Sequence, residues 1–260
     1  MRLSNIQVIK IGGPFIDSRI RLESFFAELA EHYREFPTVL IHGGGRALSA
    51  FSERLGLKPH FKQGIRMTSA SEMDLVDMVL GGKINSELVR KAAHSGIRAV
   101  GICGSDASFF TGESTDPQNG SRTGKVRTVN TEIIDYLLEG AYMPIVCSTS
   151  MDAEGGALNI NADQAALSVS SALQADVLLL ISDTAGIMKE GRCIQDISCS
   201  DLEEEIENGT ITEGMIPKVR SAARAIEQGV GKVVIGTYQK KGDLTSLRRA
   251  VSGTLIYPAK

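Results

Sequence analysis

Residues 38–45 read Thr-Val-Leu-Ile-His-Gly-Gly-Gly (TVLIHGGG), an apolar β-branched run that ends in three glycines and leads into a helical pattern over Ala47 to Leu55. The same design occurs at residues 7–13, QVIKIGG, where Lys10 sits inside the run and Gly12 and Gly13 follow it. A strand that is apolar nearly throughout is expected where both sheet faces are covered. Glycines at the turn after it let backbone N–H groups approach an anion with no side chain between. Working outward, further strands are expected at Ile97 to Ile102, Met143 to Ser148, Asp176 to Ile181 and Lys232 to Ile235. Helical spacing covers Leu22 to Glu35, Ser71 to Val79, Asn85 to Ser95, Asn130 to Glu139, Ala162 to Leu173 and Ile216 to Gln228. Short strands alternating with longer helices predict an α/β protein with a largely parallel sheet.

Lys58 to Thr68 and Phe109 to Val129 break this rhythm and read as hairpins, and Ile187 to Thr212 is mixed in character. The run DLEEEIE at Asp201 to Glu207 reads as a solvated acidic helix face. A boundary near Ala175 divides the chain into residues 1–175 and 176–260.

Composition removes several classes of function. The 260 residues carry 28 basic and 31 acidic side chains, a net charge of −3, so no basic excess points to nucleic acid or an anionic membrane. No apolar run approaches the ~18 residues of a spanning helix, and the N-terminus lacks the pattern of a signal peptide. Cys103, Cys147, Cys193 and Cys199 form no CxxC pair, which suits reduced thiols in a cytoplasmic protein better than a disulfide framework or structural zinc. The glycine loops are neither a phosphate-binding GxxxxGK[ST] loop nor a dinucleotide GxGxxG loop: Gly120 to Val126 (GSRTGKV) is too short for the first, and Gly43, Gly44 and Gly45 are contiguous.

Three polar clusters ask for a ligand. In QGIRMT, Arg66 offers a planar fork suited to a carboxylate. In GGALNINADQAA, Asn159 and Asn161 alternate with apolar residues ahead of Asp163; a helix cap accounts for Asn161 or Asp163 but not for Asn159. In EGMIPKV, Pro217 suits a helix start, whereas Lys218 opposes the helix dipole there, a conflict that a nearby anion resolves.

Together VIKIGG, HGGG, QGIRMT, VDMVLGG with Asn85, AVGICGSD, NINADQAA, ISDTAGI and GMIPKV, in this order, resemble the amino-acid kinase family, and within it the acetylglutamate kinases. The resemblance spans essentially the whole chain. It implies a three-layer αβα sandwich around a mainly parallel, roughly eight-stranded open sheet, with the amino acid and the dimer contact in the N-terminal lobe and ATP in the C-terminal lobe. The activity implied is transfer of the γ-phosphoryl group of ATP to the side-chain carboxylate of N-acetyl-L-glutamate, in arginine biosynthesis. By the same resemblance Lys10 and Lys218 stabilise the transferring group, Asp163 orients the two lysines, and Gly13 and Gly44 hold phosphate oxygens. Gly44 and Gly45 face the amino acid, Arg66 takes its α-carboxylate and Asn159 is its other polar anchor. Asp183, Thr184, Ala185, Gly186, Ile187 and Met188, with Thr210, Ile211 and Thr212, match nucleotide-binding stretches.

The residue types fit that chemistry on their own. A side-chain carboxylate, with an ordinary pKa of about 4.3, is already ionised at neutral pH, so the acceptor needs no general base. The obstacle is repulsion between anions, and lysines with glycine amides address it without a His–Asp dyad. His42 reads as structural. Mg2+ is expected to ride on the ATP phosphates, with no dedicated carboxylate cage. A kinase acting on an aminoadipate derivative or another acidic amino acid, and a non-catalytic amino-acid sensor on the same fold, are the rival readings. The resemblance also implies a homodimer, with Met73, Leu75, Val76, Met78, Val79 and Leu80 as an apolar contact face. Family members inhibited by arginine carry an extra N-terminal helix that joins dimers into a ring; six residues precede Gln7 here, so neither a ring nor arginine inhibition is expected.

Overall fold

Eight strands make up the main sheet: β1 (Gln7–Ile11), β2 (Thr38–His42), β3 (Ala99–Cys103), β4 (Met143–Cys147), β5 (Val177–Ile181), β6 (Asp196–Ser198), β7 (Val233–Gly236) and β8 (Thr254–Tyr257). The structure is a computed structural model that describes residues 3–62, 65–211 and 215–259. The strand order is β6-β8-β7-β5-β1-β2-β4-β3. Neighbours are parallel except β7 and β8, so β6 and β8 run against the rest. The sheet continues across the expected lobe boundary, because β5 pairs directly with β1.

Side chains alternate across the sheet, as the two-residue period of a strand requires. Val8, Val39, Ile41, Leu178, Leu180, Val233 and Ile235 enter one core, under the helices Glu132–Glu139, Ala162–Leu173, Cys199–Glu207 and Ile216–Glu227. Ile9, Ile11, Leu40, Val177, Leu179, Ile181 and Val234 enter the other, under Arg19–His32, Gly45–Arg54 and Ser86–His94. Two covered faces give the expected three layers. The expected face of the last long helix holds, with Val219 and Ala222 fully buried. In the acidic helix Cys199–Glu207, Leu202 faces the core while Glu203 pairs with Arg220 and Glu205 with Lys189.

The expected hairpins form as His60–Lys62 with Ile65–Met67, and Phe110–Ser114 with Thr123–Val129. The second closes into a four-stranded ring with Thr149–Met151 and Ala157–Ile160. The structure departs from the sequence reading over residues 70–94. Instead of two helices separated at Gly81 and Gly82, helical backbone runs through Ala70–Val76, a π-helical segment Asp77–Asn85 and Ser86–His94. The wider π turn accommodates the glycine pair while keeping Leu80 and Ile84 against the loop after β2. This packing also corrects the proposed contact face: Met73, Leu75, Val76, Val79 and Leu80 are buried in the chain's own core, and only Met78 is exposed.

β8 and the short helix Asp243–Arg248 carry no strong sequence pattern. Gly242 opens that helix at φ +100°, and Glu28, from the distant helix Arg19–His32, caps it. The Glu28 carboxylate is 1% exposed and accepts bonds of 2.9 Å from the Gly242 N–H, the Thr245 N–H and the Thr245 hydroxyl. Beside it, Phe15, Phe25 and Tyr238 stack edge-to-face at 5.4–5.8 Å and tie the turn after β1 to the chain after β7. Replacing one carboxylate oxygen by an amide donor at this cap leaves N–H groups facing each other. Glu28→Gln is therefore expected to cost about 1–3 kcal/mol and to lower the thermal midpoint by about 2–4 °C per kcal/mol for a chain of this size. A melting curve that superposes on the parent's would contradict that role.

Candidate active site

Parallel strands deliver their C-terminal ends to one edge of the sheet, and the cleft lies there. Its lining includes Lys10, Gly13, Gly44, Gly45, Arg66, Asn159 and Asp163, seven of the residues singled out from the sequence. Lys10 is near the end of β1, only 9% exposed, with its ammonium 2.8 Å from the Asp163 carboxylate. Asp163 stands in the first turn of Ala162–Leu173, behind Asn161 as the N-cap. The Asn161 side chain accepts from the N–H groups of Asp163 and Gln164 at 2.9 and 3.2 Å, so the cap is Asn161 and the Asp163 carboxylate is left to the lysines. Burial acts to raise the Asp163 pKa, but the charges of Lys10 and Lys218 outweigh it and hold the carboxyl below its usual range.

Lys218, in the first turn of Ile216–Glu227, donates to the Ser182 hydroxyl at 3.3 Å and stands within electrostatic reach of Asp163. Burial lowers its pKa, Asp163 and Asp183 oppose that shift, and Lys10 adds to it. The sequence reading missed Ser182, although it directly precedes the Asp183 stretch that was singled out. The strand-end position after Ile181 was the available signal.

The two glycine loops differ physically. Gly13 begins the short helix Gly13–Ile16, and a Cβ there would make ordinary contact with Arg46. Gly44 is the N-cap of Gly45–Arg54, in extended backbone that any residue could adopt. What demands glycine is space, because a Cβ would fall 2.2 Å from Ile84 Cδ1 and 2.7 Å from Leu80 Cδ2. Gly45 has open space on its Cβ side. His42, fully buried, holds this loop through Nδ1 and the Gly43 carbonyl at 2.9 Å. Its Nε2 takes a bond from Asn85 Nδ2 at 3.0 Å, and the same amide donates to the Ile145 carbonyl at 2.8 Å. Burial pushes the His42 pKa down to about 4, against the raising effect of its Gly43 bond, so the ring is neutral and structural at pH 7. The Asn85 amide oxygen also accounts for Gly101 of β3, where a Cβ would lie 2.0 Å from it.

Across the cleft, Arg66 lies in Ile65–Met67, packed over the Phe61 ring at 5.0 Å and bonded to the Ser49 hydroxyl. Its Nε is buried with no partner, and no carboxylate among the described residues pairs with it. Asn159, in Ala157–Ile160, donates to the Thr68 hydroxyl at 2.8 Å. Residues 122 and 123 fasten these two anchors together. The Arg122 N–H donates to the Thr68 carbonyl and its own carbonyl accepts from the Asn159 N–H, both at 2.8 Å. Thr123 Oγ1 accepts from the Thr68 N–H at 2.7 Å and donates to the Arg66 carbonyl at 3.0 Å.

The expected nucleotide stretches follow β5 and the helix Cys199–Glu207. Asp183, Thr184 and Ala185 are exposed in the loop, and Met188 opens a two-residue strand. Ile187 is otherwise employed: its side chain is in the core, its N–H donates to Thr254 and its carbonyl accepts from Ile194. Ile211 is likewise 2% exposed and packs in the same core. Gly186 is needed where a Cβ would approach Thr254 and Cys193 within 2.6 Å. Thr210 follows the acidic helix, and Thr212 lies outside the described residues. The described residues include no group of three or more His, Cys, Asp or Glu arranged to hold a metal ion. No helix among them is long and apolar enough to cross a membrane.

The amino acid kinase family model matches residues 5–237. The acetylglutamate kinase of Chlorobaculum tepidum is 38% identical over 229 residues, 87% of this chain and 80% of that protein. That of Nostoc punctiforme is 40% identical over 196 residues, 74% of this chain and 66% of its own length. A crystal structure of a Streptococcus mutans UA159 protein superposes with a TM-score of 0.85 at 30% identity, covering 98% of this chain and 99% of that one. The N-acetylglutamate synthase of Neisseria gonorrhoeae, complexed with coenzyme A and N-acetyl-glutamate, shares the fold at a TM-score of 0.86 and 21% identity. It covers all of this chain with 61% of its own.

The buried His42 makes the geometry of the glycine loop sensitive to acid. Its pKa is about 4 in the folded chain, against 6.5 for a solvated histidine, so the unfolded chain binds the proton first as pH falls. Its contribution is complete above pH 6.5 and is lost progressively toward pH 4, a decrease on the order of 3 kcal/mol at about 1.4 kcal/mol per pKa unit. Urea unfolding across that window is expected to show a shallower pH dependence in His42→Gln than in the parent. Identical slopes would mean that His42 is not held neutral.

Proposed function

The chain belongs to the amino acid kinase family, with acetylglutamate kinases as its relatives over most of its length, and from that premise we propose how its cleft performs their reaction. The reaction is ATP-dependent phosphorylation of the side-chain carboxylate of N-acetyl-L-glutamate. A carboxylate oxygen forms a bond to the γ-phosphorus as the bond to the β–γ bridging oxygen breaks, giving N-acetylglutamyl phosphate and ADP. No proton moves, and the task is to bring two anions together. Unit charges 4 Å apart repel by about 4 kcal/mol at an effective dielectric of 20. Catalysis of phosphoryl transfer consists mainly of positioning and charge stabilisation.

The observation that carries the reading is the Lys10–Asp163 pair at 2.8 Å, with Lys218 in electrostatic reach of the same carboxylate. Lys10 and Asp163 balance each other as a pair, so Lys218 is the second cation, shared between Asp163 and Asp183 until the transferring group arrives. Lys10 approaches it from the acceptor side, and Lys218, beside Ser182 and Asp183, from the nucleotide side. Backbone N–H groups of Gly13 and Gly44 stabilise equatorial oxygens, and Gly45 receives the acceptor carboxylate. Arg66, with its unpaired Nε, takes the α-carboxylate, and Asn159 completes the polar anchorage. Asp183, Thr184, Ala185, Gly186 and Met188, with Thr210, border the nucleotide. Ile187 and Ile211 shape that border from the core. Mg2+ would arrive bound to the ATP phosphates, whose charge it offsets, since phosphate-bound Mg2+ usually keeps several waters.

An ATP-dependent hydroxamate assay across N-acetylglutamate, glutamate, aspartate and N-acetylaminoadipate tests the reading. Product is expected with the first, and turnover confined to another acid would replace it. Lys10→Ala and Lys218→Ala are each expected to lower kcat by roughly 100-fold or more, the scale for removing one charge-stabilising group. Parent-like turnover in either folded variant would remove the lysines from the mechanism. Arg66→Ala should instead raise KM for the acetylated amino acid while leaving KM for ATP nearly unchanged. An unchanged affinity for the acceptor in equilibrium titration would count against the α-carboxylate assignment.

A further inference from the structure

Ser148 directly follows β4, beside the glycine loop that follows β2, because Cys147 and His42 are register partners. It lines the cleft together with Arg66, Leu80, Asn159 and Ile160. The residue is 1% exposed, its carbonyl accepts from the Ile160 N–H at 3.0 Å, and its hydroxyl has no partner among the described residues. A hydroxyl on the cleft wall left without such a partner is free to bond a ligand. The neighbouring Asn159 has committed its Nδ2 to Thr68, which leaves the Ser148 hydroxyl as an uncommitted neutral donor beside it.

The charges of the cleft specify what that donor meets. Its lining contains two cations, Lys10 and Arg66, and one carboxylate, Asp163, which Lys10 already engages. A free α-ammonium would face two cations and no available carboxylate. An acylated nitrogen is neutral, offers one N–H and one carbonyl, and adds an apolar group that Leu80 and Ile160 can receive. We propose that Ser148 is a substrate-binding residue whose hydroxyl hydrogen-bonds the N-acyl amide of the acceptor and helps select acylated over free amino acid. This rests on the reading of the acceptor as an N-acylated acidic amino acid.

Glutarate has the carbon chain and both carboxylates of N-acetyl-L-glutamate but lacks the acetamido group, so it separates amide recognition from general damage. Steady-state kinetics with both acceptors would be measured for the parent, Ser148→Ala and Ser148→Cys, with circular dichroism reporting the fold. For N-acetyl-L-glutamate, Ser148→Ala is expected to raise KM about five- to tenfold, the scale of one neutral hydrogen bond, with a smaller effect on kcat. For glutarate, kcat/KM should change by less than about twofold, as expected when the lost bond has no partner there. Ser148→Cys, nearly isosteric and a weaker donor, should give an intermediate loss confined to the acetylated acceptor. It serves as the test if the alanine variant does not fold. Equal losses on both acceptors, or none on either, would overturn the assignment of Ser148. Failure of the parent itself to phosphorylate N-acetyl-L-glutamate would instead overturn the reading of the reaction.

Discussion

Lys10 is a cation in an inner strand of a sheet covered on both faces, where an unpaired charge would cost several kcal/mol. Its ammonium is 2.8 Å from Asp163, and this pair organises the cleft. It ties the end of β1 to the first turn of Ala162–Leu173, and so couples the sheet to the helical layer above it. Such a pair is weak evidence for stability, since an apolar replacement of similar shape is often as stable. Its value here lies in what Lys218 adds. Lys218 brings a second ammonium into electrostatic reach of that carboxylate, with Asp183 acting on it from the loop after β5.

The loop after β2 is built to a closer tolerance than its glycine count suggests. The Gly44 backbone lies against Ile84 and Leu80, on a π-helical stretch whose wider turn keeps both side chains in contact with it. From below, the neutral His42 ring and the Asn85 amide connect the loop to that same stretch and to β4. The loop is therefore held from both sides by contacts within the chain.

On the far wall, Arg66 and Asn159 come from different segments and meet only because residues 122 and 123 pin both strands. Thr123 belongs to the four-stranded ring, so the ring fixes both side chains, while Lys10 comes from the main sheet and Lys218 from a helix packed on it. The geometry of Arg66 and Asn159 is maintained by backbone hydrogen bonds and the hydroxyl of Thr123, which is 2% exposed.

Much of this was legible in the linear chain. The β-branched runs at β1, β2, β4, β5 and β7, and the apolar spacing of Ile216–Glu227, announce a sheet covered on both sides, because burial imposes a local period on local sequence. Lys218 in a first turn and Asn159 beyond any cap were out of place for stability alone, and both face the cleft or its neighbourhood. Residues whose roles arise from contacts across the fold were not legible. Glu28 caps a helix far along the chain, and Ile187 and Ile211 turn inward into the core. Ser148 comes to line the cleft, and the Gly81–Gly82 pair continues a helix that its composition should break. Periodicity and propensity are properties of neighbouring residues, whereas these positions are set by which strands become adjacent and by where the packed layers leave space.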